Sequence, residues 1–204
     1  MTHISKLAIA GVFALGMVSL NAGMAGSAAA SAATSTGKTF AIAKNGENVS
    51  IEGVKGQVVV LEWLNHDCPI VVRHYKSGYM QSLQEKYTKQ GVKWYSIVSS
   101  APGKQGHVDA ATAEKLKAMK KSFATDIVLD ETSAIGRMFA AKTTPHMIVI
   151  GKNGEIVYDG AIDSNRSGRD AEVKEHTAEG IEAAMAGRAA PVARTQPYGC
   201  GVKY

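Results

Sequence analysis

A single α/β domain, with a mixed sheet between layers of helix, is the fold class that this sequence predicts. Three observations carry that expectation. Two apolar, β-branched runs at 57–63 and 92–98 are separated by a helix-length pattern, the spacing that two parallel strands require. Two later runs, 147–150 and 155–158, flank Lys152-Asn153-Gly154-Glu155 and read as a β-hairpin. A helical pattern at 173–186 then closes the domain, tolerating Gly180 at some cost.

Taken from the start, residues 1–33 read as a signal peptide. Lys6 supplies a positive n-region, Leu7 to Leu20 form an apolar segment short for a bilayer span, and small residues continue through Ala33. Cleavage is expected after Ala30, Ala32 or Ala33. The expectation is therefore an exported protein, in a bacterial periplasm, without stable membrane association, since no later apolar run has the length of a membrane helix. About 170 residues remain, enough for one domain with a real core. The domain is expected over 38–190, followed by a C-terminal tail over 191–204 that carries Cys200 and that Pro191, Pro197 and two glycines are expected to make irregular. With 23 Lys and Arg against 18 Asp and Glu, the chain is only mildly cationic. Lys115, Lys117, Lys120 and Lys121 cluster on a helix expected to turn Leu116, Met119 and Phe123 to its other side, so they read as a solvated face and not as a nucleic-acid contact.

Between leader and core, residues 40–51 suggest a short strand pair turning at Asn45-Gly46. After the strand at 57–63, Ile70, Val71, Val72 and Tyr75 begin a helix that breaks near Ser77-Gly78 and resumes with Met80, Leu83 and Tyr87. Gly91 closes it. Residues 99–106 carry Pro102, Gly103 and Gly106 and form a loop, after which Asp109 caps the lysine-bearing helix running to about Phe123. A short strand at 127–129 and a short helix within 131–141, with Ile135, Met138 and Phe139 on its apolar side, complete the middle.

The chemistry centres on Cys68. A buried strand ends at Trp63, Asp67 can cap a helix, and Pro69 suits its first turn, which places the thiol where unpaired backbone N–H groups point. Such a position favours the thiolate and can lower a thiol pKa of about 8.5 by one or more units. Asp67 opposes this as a neighbouring carboxylate. Cys68 and Cys200 are the only cysteines, and an even count in an oxidising compartment invites a disulfide. There is no Cys-x-x-Cys, which excludes a zinc ribbon, a c-type haem attachment and the usual thioredoxin dithiol.

The element order, together with Glu62-Trp63 and Cys68-Pro69, Lys142-Thr143-Thr144-Pro145-His146, and Gly199-Cys200-Gly201-Val202-Lys203-Tyr204, resembles exported thioredoxin-like redoxins of the alkyl hydroperoxide reductase and thiol-specific antioxidant group, which are peroxiredoxin-like. The resemblance covers nearly all of the chain after the leader. It implies a thioredoxin-like fold, a cis peptide at Thr144-Pro145, and a substrate groove lined by Thr144, Pro145, Trp63 and Asn65. It also implies an oxidoreductase acting on peroxide or on a protein or small-molecule disulfide, served by an external thiol reductant and needing no cofactor. Two registers are open. If Cys68 matches the first cysteine of a thioredoxin, Glu62 stands where those proteins keep a buried acid that manages the thiol proton, and Val71 replaces the second cysteine. If it matches a peroxidatic cysteine, Asn65 replaces Thr or Ser, and Leu61 replaces Pro. In either register any partner thiol must be Cys200 or come from another molecule.

Arg73, Arg137 and Arg166 are candidates for a cation that stabilises the thiolate or holds a peroxide oxygen, with Arg73 nearest in sequence; His66 and His146 are candidates for the same role. Cys200 has three readings: it resolves a sulfenic acid at Cys68, it clamps the tail through a permanent disulfide worth roughly 4–5 kcal/mol in the chain-entropy model, or it pairs with another chain. A non-catalytic alternative uses Cys68 with His66, His74 or His146 as a copper-binding or partner-binding module on the same fold.

Overall fold

The computed structural model describes residues 39–41, 48–50 and 55–204. The leader segment and the turn expected at Asn45-Gly46 lie outside them. In the first part described, β1 (Thr39–Ala41) and β2 (Asn48–Ser50) pair antiparallel.

A five-stranded mixed sheet forms the centre, in the order β5-β4-β3-β7-β8. Its middle strand, β3 (Val59–Trp63), is buried along its whole length, as a β-branched run with no polar face except Glu62 must be. It pairs parallel with β4 (Lys93–Val98) and antiparallel with β7 (Met147–Ile150). Outside these lie β5 (Asp126–Leu129), parallel to β4, and β8 (Ile156–Gly160), the hairpin partner of β7. The helices are α1 (Pro69–Lys76), α2 (Tyr79–Thr88), α3 (Ala110–Met119), α4 (Ala134–Met138) and α5 (His176–Met185).

Alternation along β3 divides the core into two layers. Val60 and Leu64 face a cluster with Cys68, Val71, Tyr75, Met80, Trp94, Tyr158 and Ile181; Val59, Leu61 and Trp63 face a second with Ile97, Ile135, Phe139 and Ile148. The expected break after α1 falls at Gly78, whose φ of 77° places it in the left-handed region. Gly91 likewise closes the α2 connection at φ 88°.

Three expectations are corrected. Asp67 does not cap α1: the N-cap is Cys68 itself, with Pro69 following, while the Asp67 N–H is taken by Asn65 Oδ1 at 2.9 Å. The lysine-bearing helix ends at Met119, because the chain turns through Lys121 at φ 49°; Met119 and Phe123 are then 78% and 44% exposed instead of packed. The tail is not irregular throughout. A two-residue strand, β9 (Cys200–Gly201), pairs antiparallel with β6 (Thr143–Thr144), setting Thr144 opposite Cys200. No helix among the described residues is long and apolar enough to cross a membrane.

Gly78→Ala adds a Cβ that meets open space, so its cost is backbone strain alone. The expected loss is about 1 kcal/mol of unfolding free energy in urea, and an unchanged midpoint would show that the α1–α2 break tolerates an L-residue at positive φ.

Candidate active site

The carboxyl end of β3 opens into the turn 64–67, and Cys68 begins α1 there. Asn65 shapes this turn: its carbonyl accepts from the Cys68 N–H at 3.1 Å, its Oδ1 accepts from Asp67, and its Nδ2 reaches Gln105 O at 3.4 Å across the 99–106 loop. Gly106 is required beside it, because any Cβ there would collide with the Asn65 amide. From the neighbouring strand comes the loop Lys142-Thr143-Thr144-Pro145, in which Thr144-Pro145 is cis. Cys68 Sγ donates to Thr144 O at 2.9 Å, and the Cys200 N–H donates to Cys68 Sγ at 3.4 Å. Both cysteines are free thiols, and Cys68 is 0% exposed.

These contacts set up opposed influences on the Cys68 proton. Burial pushes its pKa up, and the bond to the Thr144 carbonyl, which only the neutral thiol can make, acts the same way. Against them stand the Val71 backbone N–H in the first turn of α1, the Cys200 side chain, the Cys200 N–H and the Thr144 side chain, all favouring the thiolate. The net result is a Cys68 thiol held below its ordinary value. Cys200 is displaced the other way, to about 11, by burial and then by the hydrogen bond and charge of Cys68, with Lys203 pulling weakly back. Of the two thiols, Cys68 ionises first.

Glu62 lies on the same side of β3 but is otherwise occupied. Its Oε1 accepts from Tyr75 OH at 3.0 Å, and its Oε2 accepts from Trp94 Nε1 at 2.8 Å, Ser96 Oγ at 3.0 Å and Gln84 Nε2 at 3.0 Å. None of its hydrogen bonds goes to Cys68. Burial raises its pKa, and the four donors pull it only part of the way back. Ser96 stands directly opposite Glu62 in the β3–β4 register. As a polar residue in a buried run, it was the sequence signal for this cluster.

The other expected site residues are dispersed. Trp63, assigned to the groove, is fully buried in the second core layer, where it packs on Phe139 and His146 and donates through Nε1 to Ser99 Oγ at 3.2 Å. His146 is committed away from the sulfur: Nδ1 accepts from the Lys142 N–H at 3.1 Å, and Nε2 pairs with Asp159 at 2.7 Å. His66 pairs with Asp67 at 3.4 Å. Arg73 spends its guanidinium on Asn165 O at 2.7 Å, Arg166 O at 3.1 Å and Tyr198 OH at 3.4 Å. Arg166 lies over the Tyr198 ring at 5.8 Å, and Arg137 over Tyr204 at 4.8 Å. His74, one of the three histidines named for the copper alternative, is within 3.4 Å of Tyr198 OH, and burial lowers its pKa. Among the described residues, no group of three or more His, Cys, Asp or Glu comes together to hold a metal. Tyr198, Asp163 and Tyr204, which hold the tail, carried no periodic signal; only Tyr204 fell within a recognised motif.

A sequence family described as Redoxin matches residues 24–177. The chain belongs to the Redoxin family. The match ends before the tail, so Cys200 lies outside the matched region while the Cys68 and Thr144 it meets lie within it. Solved structures share the fold. An uncharacterized conserved protein from Geobacillus kaustophilus is similar with a TM-score of 0.70 at 21% identity, over 81% of this redoxin and 87% of that chain. A hypothetical protein from Sinorhizobium meliloti gives 0.70 at 16%, over 82% and 90%. A thioredoxin-like protein from Aeropyrum pernix gives 0.50 at 21%, over 60% and 80%. No curated protein matches this redoxin. Its fold is thioredoxin-like, a mixed central sheet flanked by helices.

Two outcomes are expected. Cys200→Ala removes a side-chain donor that favours the Cys68 thiolate, so the thiolate absorbance of Cys68 should titrate at higher pH in this variant than in the parent; an equal or lower midpoint would contradict the assignment. For Glu62, the native pKa lies above the unfolded value of 4.5, so the folded state keeps this proton longer and stability falls as pH rises from the unfolded value through the folded one. Urea titrations at a series of pH values should show the parent losing stability relative to Glu62→Gln above about pH 4.5. Parallel profiles for the two proteins would show that Glu62 does not titrate abnormally.

Proposed function

We propose that this redoxin is an exported thiol oxidoreductase that cycles between a Cys68, Cys200 dithiol and a Cys68–Cys200 disulfide, with a small peroxide as its oxidant. One observation carries the reading: a thiol with a lowered pKa at a helix N-cap lies against the backbone and side chain of a second cysteine whose own thiol stays protonated. Export rests on the leader pattern around Lys6 and Leu7 to Leu20.

The Cys68 thiolate attacks one peroxide oxygen; the O–O bond breaks, the leaving oxygen takes a proton and departs as water or an alcohol, and Cys68 becomes a sulfenic acid. That step removes the negative charge facing Cys200. Burial still raises the Cys200 thiol, but the secondary influence of the Cys68 charge is thereby removed, and its sulfur becomes easier to ionise when it is needed. Attack of Cys200 on the Cys68 sulfur expels water and closes the disulfide. An external dithiol restores both thiols by two exchange steps, leaving as its own disulfide. Complete burial of Cys68 favours a small oxidant over a folded disulfide partner.

Disulfide exchange is the second reading, favoured by the Thr143-Thr144 strand beside the thiol, which already pairs with the extended Cys200-Gly201 segment and would take an extended substrate chain in its place. The resting thiols would then be oxidised by a substrate disulfide instead of peroxide.

One equivalent of hydrogen peroxide added to the reduced protein, quenched over time with an alkylating agent and read by intact mass with peptide mapping, tests this. The parent should form the Cys68–Cys200 disulfide, Cys200→Ser should stop at a Cys68 sulfenic acid, and Cys68→Ser should lose turnover while keeping its fold. Two unreacted thiols in the parent would overturn the peroxide reading and leave exchange to be tested with a small disulfide. Undiminished turnover in Cys68→Ser would overturn both.

A further inference from the structure

The tail lies across the thiol with which it is proposed to react, and its two ends are held differently. Upstream, Tyr198 is buried and fixed by charged partners: its hydroxyl donates to Asp163, Arg73 Nη2 reaches it at 3.4 Å, and the guanidiniums of Arg73 and Arg166 each lie 5.8 Å from its ring centre. Downstream, Val202 N–H donates to Lys142 O at 3.1 Å, Lys203 O accepts from Ala101 N–H at 2.8 Å, and Tyr204 OH donates to Ala141 O at 2.7 Å beneath the Arg137 guanidinium. The Tyr204 ring seats against Gly136, where a Cβ would come within 2.5 Å of it. Arg137 is exposed, and Tyr204 is only half-buried. Between the two ends, Gly199 adopts φ 137°, and a Cβ there would collide with the Thr144 carbonyl, so the chain passes the cis-proline loop at a distance only glycine allows.

We propose that residues 199–204 form a flap over Cys68, with Tyr198 as its fixed post, Gly199 as its hinge and Tyr204 as its latch. Tyr204 is then a positioning residue: seated on Gly136 under Arg137, it holds β9 against Thr143-Thr144 and Cys200 against the Cys68 sulfur. The physical argument is one of access and of effective concentration. Cys68 has no exposed surface with the flap down, so a reagent meets its sulfur only after the short β6–β9 pairing opens. Disulfide closure needs the opposite, a flap that returns. Weakening the latch should therefore speed chemistry at Cys68 by outside reagents and slow its joining to Cys200. The second half rests on the dithiol cycle proposed above; the first does not.

The test uses the full chain, fully reduced, as parent, Tyr204→Ala, Tyr204→Phe and Arg137→Ala, each checked for an unchanged melting transition. Alkylation of Cys68 by iodoacetamide is timed by peptide mass. Tyr204→Ala should raise its rate about tenfold, the size of change expected when a local opening loses one ring-stacking and one hydrogen-bonding contact. Arg137→Ala and Tyr204→Phe should fall between parent and Tyr204→Ala, since each retains one of those contacts. If Tyr204→Ala does not fold, Arg137→Ala carries the test from an exposed position. In a second arm, peroxide is added with dimedone present, and the latch variants should divert Cys68 from the disulfide to the dimedone adduct. Alkylation rates equal to the parent in both Tyr204→Ala and Arg137→Ala would overturn the latch. Accelerated alkylation with a parent that forms no disulfide would overturn the dithiol cycle and leave the latch standing.

Discussion

Burial of β3 on both faces is the constraint on which the site depends. A strand whose five residues are all inaccessible must be flanked on both sides and roofed above and below. Its neighbours run in opposite senses, β4 parallel and β7 antiparallel. The carboxyl end of β3 therefore meets the carboxyl end of β4 and the amino end of β7. Three loops converge there without further design: the turn that delivers Cys68, the 99–106 segment that braces Asn65, and the cis-proline loop that presents the Thr144 carbonyl. The thiol sits at that end because the topology brings together there a helix amino end, two loops and the paired edge of β6 and β9.

The same burial divides the polar work between two separate places. Glu62 on β3 is satisfied by side chains from α1, α2 and β4, a closed arrangement that ties both helices of the first crossover to the sheet. Cys68 is governed by burial and, against it, by the Val71 and Cys200 backbone N–H groups together with the Cys200 and Thr144 side chains. The carboxylate cluster organises the frame, while the groups around the thiol set its acidity.

The domain frame was legible because periodicity and turn chemistry are local. The two parallel strands, the glycine break at Gly78 and the hairpin around Asn153-Gly154 all stand where the pattern put them. What was not legible depended on partners distant in sequence. The pairing of Thr144 with Cys200 needs two residues on each side and leaves no periodic trace. His146 could have faced the thiol, but the residue preceding β7 takes the same side as Ile148, and so its ring joins Trp63 and Asp159. Asp67 was a good capping residue by type, yet the helix starts one residue later, with Cys68 at the N-cap, and the Asp67 N–H is held in the preceding turn by Asn65. Met119 and Phe123 fitted a helical face that ended before it could use them.

The two tryptophans of the chain are both fully buried, one in each core layer, and each indole N–H is bonded to a polar group near the site. Trp94 donates to Glu62, so the electric field along its indole changes when that carboxylate gains or loses a proton. Trp63 donates to Ser99, which in turn donates to Asp130 at 2.6 Å, and thus senses the loop after β4. Intrinsic fluorescence is consequently a built-in optical readout of this molecule, with one chromophore following charge on the carboxylate side of the sheet and the other following loop position on the opposite side.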